Sequence, residues 1–278
     1  MQKRVAAIHD ISGFGKCSLT VALPIISAAG VETAVIPTAV LSTHTGGFKD
    51  FTFRDLTEDI LPIAKHWKAE GIRFDAIYTG YLGSFRQIDL VCEIIDILRD
   101  EDTLVVVDPV MADHGKLYQI FPADFPQGMK KLCAKADIVI PNLTEACLML
   151  EKEYKEGVFT EEYVADILAG LKEMGAKLPI LTGVYFDEQK LGAAALENGE
   201  IKYAFADRVD AMYHGTGDVY GSALVGALMN GKDITESMQI AAEYTAACIY
   251  RTKHFQPERT YGVDFENEIP KYIKLLGK

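Results

Sequence analysis

Short apolar runs alternate along the chain with longer stretches in which apolar positions return every three or four residues. The short runs predict strands over Arg4–His9, Thr33–Pro37, Ala76–Thr79, Thr103–Asp108, Ile138–Ile140, Pro179–Thr182, Leu191–Leu196 and Lys202–Phe205. The helical spacing predicts helices over Ser18–Ala29, Asp55–Glu70, Phe85–Arg99, Phe125–Ala134, Leu143–Leu150, Glu161–Met174, Asp218–Met229, Ile234–Arg251 and Asn267–Leu276. Leu104-Val105-Val106-Val107 is nearly all β-branched, as suits a strand covered on both faces. Strand–helix alternation through the first two-thirds implies an α/β fold, with a central, mostly parallel sheet flanked by helices on both faces. The last two strands differ. Glu197-Asn198-Gly199-Glu200 is a hairpin turn signal, so a late antiparallel hairpin is expected. No low-complexity linker, internal repeat or shift of composition divides the chain, and the expectation is a single domain over residues 1–278.

Composition narrows the partners. The chain is 49% hydrophobic, ample for a packed core, and carries a net charge of −12 from 28 basic and 40 acidic residues. Such a surface repels nucleic acid and anionic membranes, so neither is expected as a partner. An anionic nucleotide is still compatible, because a metal ion and a local anion hole can override the global field. The five cysteines, Cys17, Cys92, Cys133, Cys147 and Cys248, are odd in number and form no CxxC pair. They suit a reducing setting and read as small buried hydrophobes. No apolar run approaches the ~18 residues that span a bilayer, and the N-terminus is too poor in apolar residues for a signal peptide. A soluble, cytoplasmic protein is expected.

The polar motifs gather where the predicted strands end. His9-Asp10-Ile11-Ser12-Gly13-Phe14-Gly15 follows the first strand and Ser42-Thr43-His44-Thr45-Gly46-Gly47 the second. Gly80-Tyr81-Leu82-Gly83-Ser84, Asp108-Pro109-Val110-Met111, Pro141-Asn142-Leu143-Thr144-Glu145 and Thr182-Gly183 follow the next four. Ligands of open α/β sheets bind outside the carboxyl ends of the strands, so six motifs on one edge describe an active-site rim.

The most specific local signal is Gly215-Thr216-Gly217-Asp218, running into an apolar helical pattern. Free N–H groups at a helix start bind anions, and Gly215, Thr216 and Gly217 supply them here. A carboxylate beside a bound anion suits phosphoryl transfer, with Asp218 taking a proton from the attacking hydroxyl. The plain structural alternative is that Asp218 caps the helix. Asn142 and Glu145 have a similar alternative, a capping box. In the functional reading, Asp108, Asn142 and Glu145 order Mg²⁺ and its waters beside nucleotide phosphates, since Mg²⁺ takes few direct carboxylates. Tyr81, His44 and Thr45 face the same rim, and Tyr and His can stack on a flat heteroaromatic ring. Asp10, Ser12, Gly13 and Gly15 form a flexible polar loop. It lacks the third glycine of a dinucleotide fingerprint and the pattern of a Walker loop, and reads as a substrate contact.

With these motifs placed, the chain resembles the pyridoxal kinases of the ribokinase-like superfamily over nearly its whole length. Gly80-Tyr-Leu-Gly-Ser84, Asp108-Pro-Val-Met111, Pro141-Asn142…Glu145 and Gly215-Thr-Gly-Asp218 carry the resemblance, in order. The resemblance implies transfer of the ATP γ-phosphoryl group to the 5′-hydroxymethyl of pyridoxal, pyridoxamine or pyridoxine, with Asp218 as base over the Gly215–Gly217 anion hole. It implies that Asp10, Ser12, Thr45 and Tyr81 surround the pyridine ring. It implies that Asp108, Asn142 and Glu145 belong to a Mg²⁺–phosphate network, with Asp113, Tyr118 and Thr182 near the nucleotide. Members are usually homodimers, often assisted by a monovalent cation such as K⁺. The stretch Asp10-Ile-Ser-Gly13 is similar instead to hydroxymethylpyrimidine kinases, so that activity, or both, is the alternative. A non-catalytic ligand-binding protein on the same fold is the reading from another class.

Overall fold

The computed structural model describes residues 2–278. The first strand, β1 (Arg4–Ser12), is followed by α1 (Leu19–Ala28), β2 (Glu32–Leu41), β3 (Phe53–Asp55), α2 (Thr57–Ala69), β4 (Ala76–Thr79) and α3 (Phe85–Leu98). Next come β5 (Leu104–Val107), a small hairpin of β6 (Ala112–Asp113) and β7 (Lys116–Leu117), α4 (Phe125–Cys133), β8 (Ile138–Val139), α5 (Leu143–Leu150) and α6 (Glu161–Glu173). The chain closes with β9 (Leu178–Val184), β10 (Lys190–Glu197), β11 (Glu200–Asp207), α7 (Thr216–Met229), α8 (Ile234–Phe255), a 3₁₀ turn at Glu266–Glu268 and α9 (Ile269–Leu275).

Nine strands form one sheet in the order β11-β10-β9-β8-β5-β4-β1-β2-β3. The six strands from β2 to β9 through the middle are parallel, while β3, β10 and β11 pair antiparallel at the edges. The expected mostly parallel sheet and late hairpin are therefore both present, and β10 and β11 turn at Asn198-Gly199, both at positive φ. Helices cover both faces. One apolar core gathers residues such as Ile60 of α2, Ile88 of α3, Met129 of α4 and Leu168 of α6. The other gathers Val21 of α1, Leu224 of α7, Met238 of α8 and Tyr272 of α9. With both faces buried, β4 and β5 need no polar alternation, which is why Leu104–Val107 reads as an unbroken apolar run.

Several boundaries differ from the sequence expectation. β1 runs past His9 to Ser12 and β2 past Pro37 to Leu41, because the two continue to pair in parallel beyond a bulge at Asp10. The polar residues of this stretch hide the extension from a hydrophobic pattern. β3 is exposed throughout, and β6 and β7 are two residues each, so none carries a periodic signal. The β6–β7 turn is His114-Gly115, with both residues at positive φ, as two-residue hairpins require. The helix expected over Asn267–Leu276 is split, a 3₁₀ turn leading to α9 with Pro270 in its first turn.

Candidate active site

The carboxyl ends of the parallel strands share one edge of the sheet, and a cavity of about 350 Å³ opens there against the start of α7. Asp108, Asp113, Tyr118, Asn142, Glu145 and Thr182 line it, together with Gly215 through Asp218. Every residue expected near nucleotide, metal or transferring phosphate is thus brought to a single space.

The helix start is built by glycine. Gly215, not Asp218, is the N-cap of α7, at φ 78 in the left-handed region. A side chain there would also meet the Lys16 carbonyl oxygen at 1.7 Å. The helix therefore begins at Thr216, two residues earlier than the pattern suggests, because Thr216 and Gly217 are helical without being apolar. Among the described residues no protein acceptor takes the amide N–H groups of Thr216, Gly217 or Asp218. A side chain added at Gly217 would meet nothing within 4 Å, and the whole turn borders the cavity. Asp218 lies in the first turn rather than capping it. Burial pushes its carboxyl up to about 7, Asp10 adds to the rise, and the Ser18 backbone N–H opposes it.

Across the cavity stand Asp108 and Glu145. Asp108 lies just past β5, is 7% exposed and accepts no hydrogen bond from a described residue. Burial first, then the Glu145 and Asp218 charges, hold its carboxyl well above the ordinary range. Glu145 completes the capping box of α5: its side chain accepts from the Asn142 N–H at 2.9 Å while Asn142 accepts from the Glu145 N–H at 2.9 Å. The same carboxylate accepts from the Met111 N–H at 3.0 Å. Burial raises its pKa despite these N–H groups. The structural and functional readings of this pair are therefore compatible. The cap fixes the carboxylate, and its position makes it part of the cavity wall. Asn142 also donates to the Ala112 carbonyl at 2.8 Å, joining α5 to the β6–β7 hairpin that carries Asp113.

The predicted ring-contacting residues lie elsewhere. Asp10, Ser12, His44, Thr45 and Tyr81 do not line the cavity. Asp10 and Ser12 are not in a flexible loop. They belong to β1, are 4% and 1% exposed, and form a network in which Ser12 and Ser18 hydroxyls donate to the Asp10 carboxylate. Asp10 nevertheless reaches electrostatically to Asp218 and to Tyr81, whose hydroxyl is pushed up to about 12 by burial and then by Asp10. Asp218 thus stands between two groups of predicted residues, the cavity on one side and the Asp10–Tyr81 cluster on the other. His44 is buried, with Thr45 exposed beside it.

Sequence reasoning missed the apolar end of the cavity. Val209, Ala211 and Tyr213 precede the anion-binding turn, and Ala242, Ala246 and Ile249 face it from α8. The α8 residues fall at a spacing of four and three, a pattern that reads as ordinary core packing and carries no chemical signal. Among the lining residues there is no Lys or Arg.

A helix start with free amides, a raised aspartate in its first turn and facing carboxylates at the carboxyl edge of a ribokinase-like sheet define a phosphotransferase architecture. The chain belongs to the phosphomethylpyrimidine kinase family, whose family model matches residues 22–263. It is 37% identical to a candidate phosphomethylpyrimidine kinase of Bacteroides thetaiotaomicron, in a crystal form with pyridoxal, at a TM-score of 0.91 over 98% of this chain and 96% of that one. The pyridoxal kinase of Lactobacillus plantarum is 28% identical, with a TM-score of 0.89 over 99% and 98%. A pyridoxine/pyridoxal/pyridoxamine kinase of Bordetella pertussis is 25% identical over 263 residues, 90% of this chain and 89% of that one. No helix among the described residues is long and apolar enough to cross a membrane.

Proposed function

We propose that residues 1–278 form one kinase domain that transfers the γ-phosphoryl group of ATP to the 5′-hydroxymethyl of pyridoxal, pyridoxamine or pyridoxine. The observation that carries this reading is the placing of Asp218, its carboxyl raised to about 7 at an open helix start between the cavity and the Asp10–Tyr81 cluster. The nucleotide base lies against the apolar end at Val209, Ala211, Ala246 and Ile249, with Asp113, Tyr118 and Thr182 along its phosphates. The amides of Thr216 and Gly217 hold the migrating phosphoryl group. Tyr81, Asp10, Ser12, His44 and Thr45 surround the acceptor ring. Asp218 takes the hydroxyl proton as the new oxygen–phosphorus bond forms and the bond to the ADP oxygen breaks.

The cavity fits a divalent cation. Asp108 feels the charges of both Glu145 and Asp218 with no basic residue lining the cavity, and a buried carboxylate with no counter-charge is costly. No group of three or more His, Cys, Asp or Glu among the described residues is arranged to hold an ion directly. Mg²⁺ held by Asp108 and Glu145 largely through water and phosphate oxygens satisfies both facts. Bound there, it would neutralise phosphate charge. The resemblance also supports a cytoplasmic homodimer, and K⁺ as an assisting cation.

The family description and the Asp10-Ile-Ser-Gly13 stretch favour one rival acceptor, hydroxymethylpyrimidine. ATP turnover measured side by side with pyridoxal, pyridoxamine, pyridoxine and hydroxymethylpyrimidine decides between them. We expect turnover of at least one of the three vitamers. Turnover of the pyrimidine alone overturns the proposal, and binding without turnover of any acceptor favours a non-catalytic protein.

A further inference from the structure

His214 immediately precedes the anion-binding turn and lines the cavity, yet nothing in the sequence gives it a task. Its surroundings do. An added side-chain carbon at Gly46 would lie 2.6–2.8 Å from three atoms of the His214 ring. Gly46 is not at positive φ, so its backbone would accept any residue. What favours glycine at 46 is the exposed imidazole laid over it, which would have to turn aside to admit a side chain. Gly47, next in sequence, is the reverse case: φ 80 and open space.

The contact is one joint of a closed ring. His44 lies 5.3 Å from His214, centroid to centroid, and its Nδ1 accepts the Gly46 N–H at 3.1 Å. The other side of His44 presses on Gly15, where an added carbon would lie 2.0 Å from the ring. Gly15 belongs to the segment whose Lys16 carbonyl abuts Gly215. Three segments far apart in sequence, residues 13–18, 42–48 and 214–218, therefore meet pairwise, each joint made where a glycine admits a neighbour.

We propose that His214 is a positioning residue that couples the acceptor-binding segment 42–48 to the phosphoryl-holding turn 215–218. It rests on the kinase reading above and extends it. With the ring intact, seating of the acceptor against His44 and Thr45 and alignment of the Thr216–Asp218 amides occur together. Without His214 the two segments move independently, so acceptor KM rises and kcat falls while ATP KM stays constant.

The test is a double-mutant cycle of Gly46→Ala and His214→Ala, read in turnover and in thermal unfolding with whichever acceptor the unaltered enzyme phosphorylates. In turnover, Gly46→Ala should lower kcat/KM for the acceptor by at least about fivefold more in the native background than in His214→Ala, since contacting residues couple by that order. His214→Ala alone should shift acceptor KM and kcat but not ATP KM. Additive effects overturn the proposal, as does an equal rise in ATP KM. Coupling in the unfolding midpoint alone, with additive kinetics, reduces His214 to a packing residue and also overturns it. The identity of the working acceptor judges the kinase reading separately. The coupling judges this one.

Discussion

Asp218 combines two properties that one carboxylate rarely has, closeness to an anion site and a pKa near neutrality. As a base it must be deprotonated. With its free-enzyme value at about 7, kcat/KM should fall about tenfold as pH drops from 8 to 6, with an inflection near neutrality. A profile flat across that interval would remove Asp218 from the base role. Asp218→Asn keeps the shape and loses the base, so kcat should fall at least ~100-fold with nucleotide affinity little changed, as read by single-turnover kinetics and direct nucleotide titration. The sequence placed Asp108 as well as Asp218 at the carboxyl edge of the sheet, and there Asp108 lines the cavity with a carboxylate that accepts no protein hydrogen bond. The residue-level reading was weakest for Asp10 and Ser12. Their polarity suggests a loop, whereas hydrogen bonds to Ser18 and each other let them stay in a buried strand.

At the scale of the element, α7 depends on its cap. Gly215→Ala puts a side chain into φ 78 and against the Lys16 carbonyl at once. The cost should be at least about 2 kcal/mol in chemical denaturation, more than for Gly217→Ala, whose site is open. Equal stability of the Gly215→Ala protein would mean that the turn relaxes freely. Long elements were legible because their periodicity is fixed by two buried faces. The ends of β1 and β2, the exposed β3 and the β6–β7 hairpin were not, since pairing partners distant in sequence decide them. Glu145 shows a related limit: cap and cavity wall use the same carboxylate, so the local pattern alone could not choose.

For the whole molecule, the sheet gathers Asp108, Glu145 and Asp218 into a space with no Lys or Arg, and stability depends on that crowding. Their folded-state pKa values lie above the ordinary carboxylate range, so these three groups keep protons that the unfolded chain has lost between about pH 5 and 7, opposed below about pH 6.5 by His9, whose burial lowers its pKa to about 3. The stability these carboxylates contribute therefore falls as pH rises through that window, by up to about 1.4 kcal/mol per pH unit for each proton involved, and above about pH 6.5 His9 no longer opposes the fall. Differential scanning calorimetry should show a lower unfolding temperature at pH 8 than at pH 6, and Mg²⁺ should recover part of the loss at pH 8. A midpoint that rises with pH, or ignores Mg²⁺, contradicts this account. The order of strands and the clustering of motifs at one edge followed from the alternation of patterns. Contacts made through glycine did not, because an absent side chain gives no sign of what fills its place. The ring of Gly15, Gly46 and Gly215 also has a historical consequence. Each glycine faces a partner elsewhere in the chain, so a larger residue 46 requires that the side chain at 214 shrink or turn away. Change at these positions is then linked, and alanine at 46 should be found more often beside a small residue at 214.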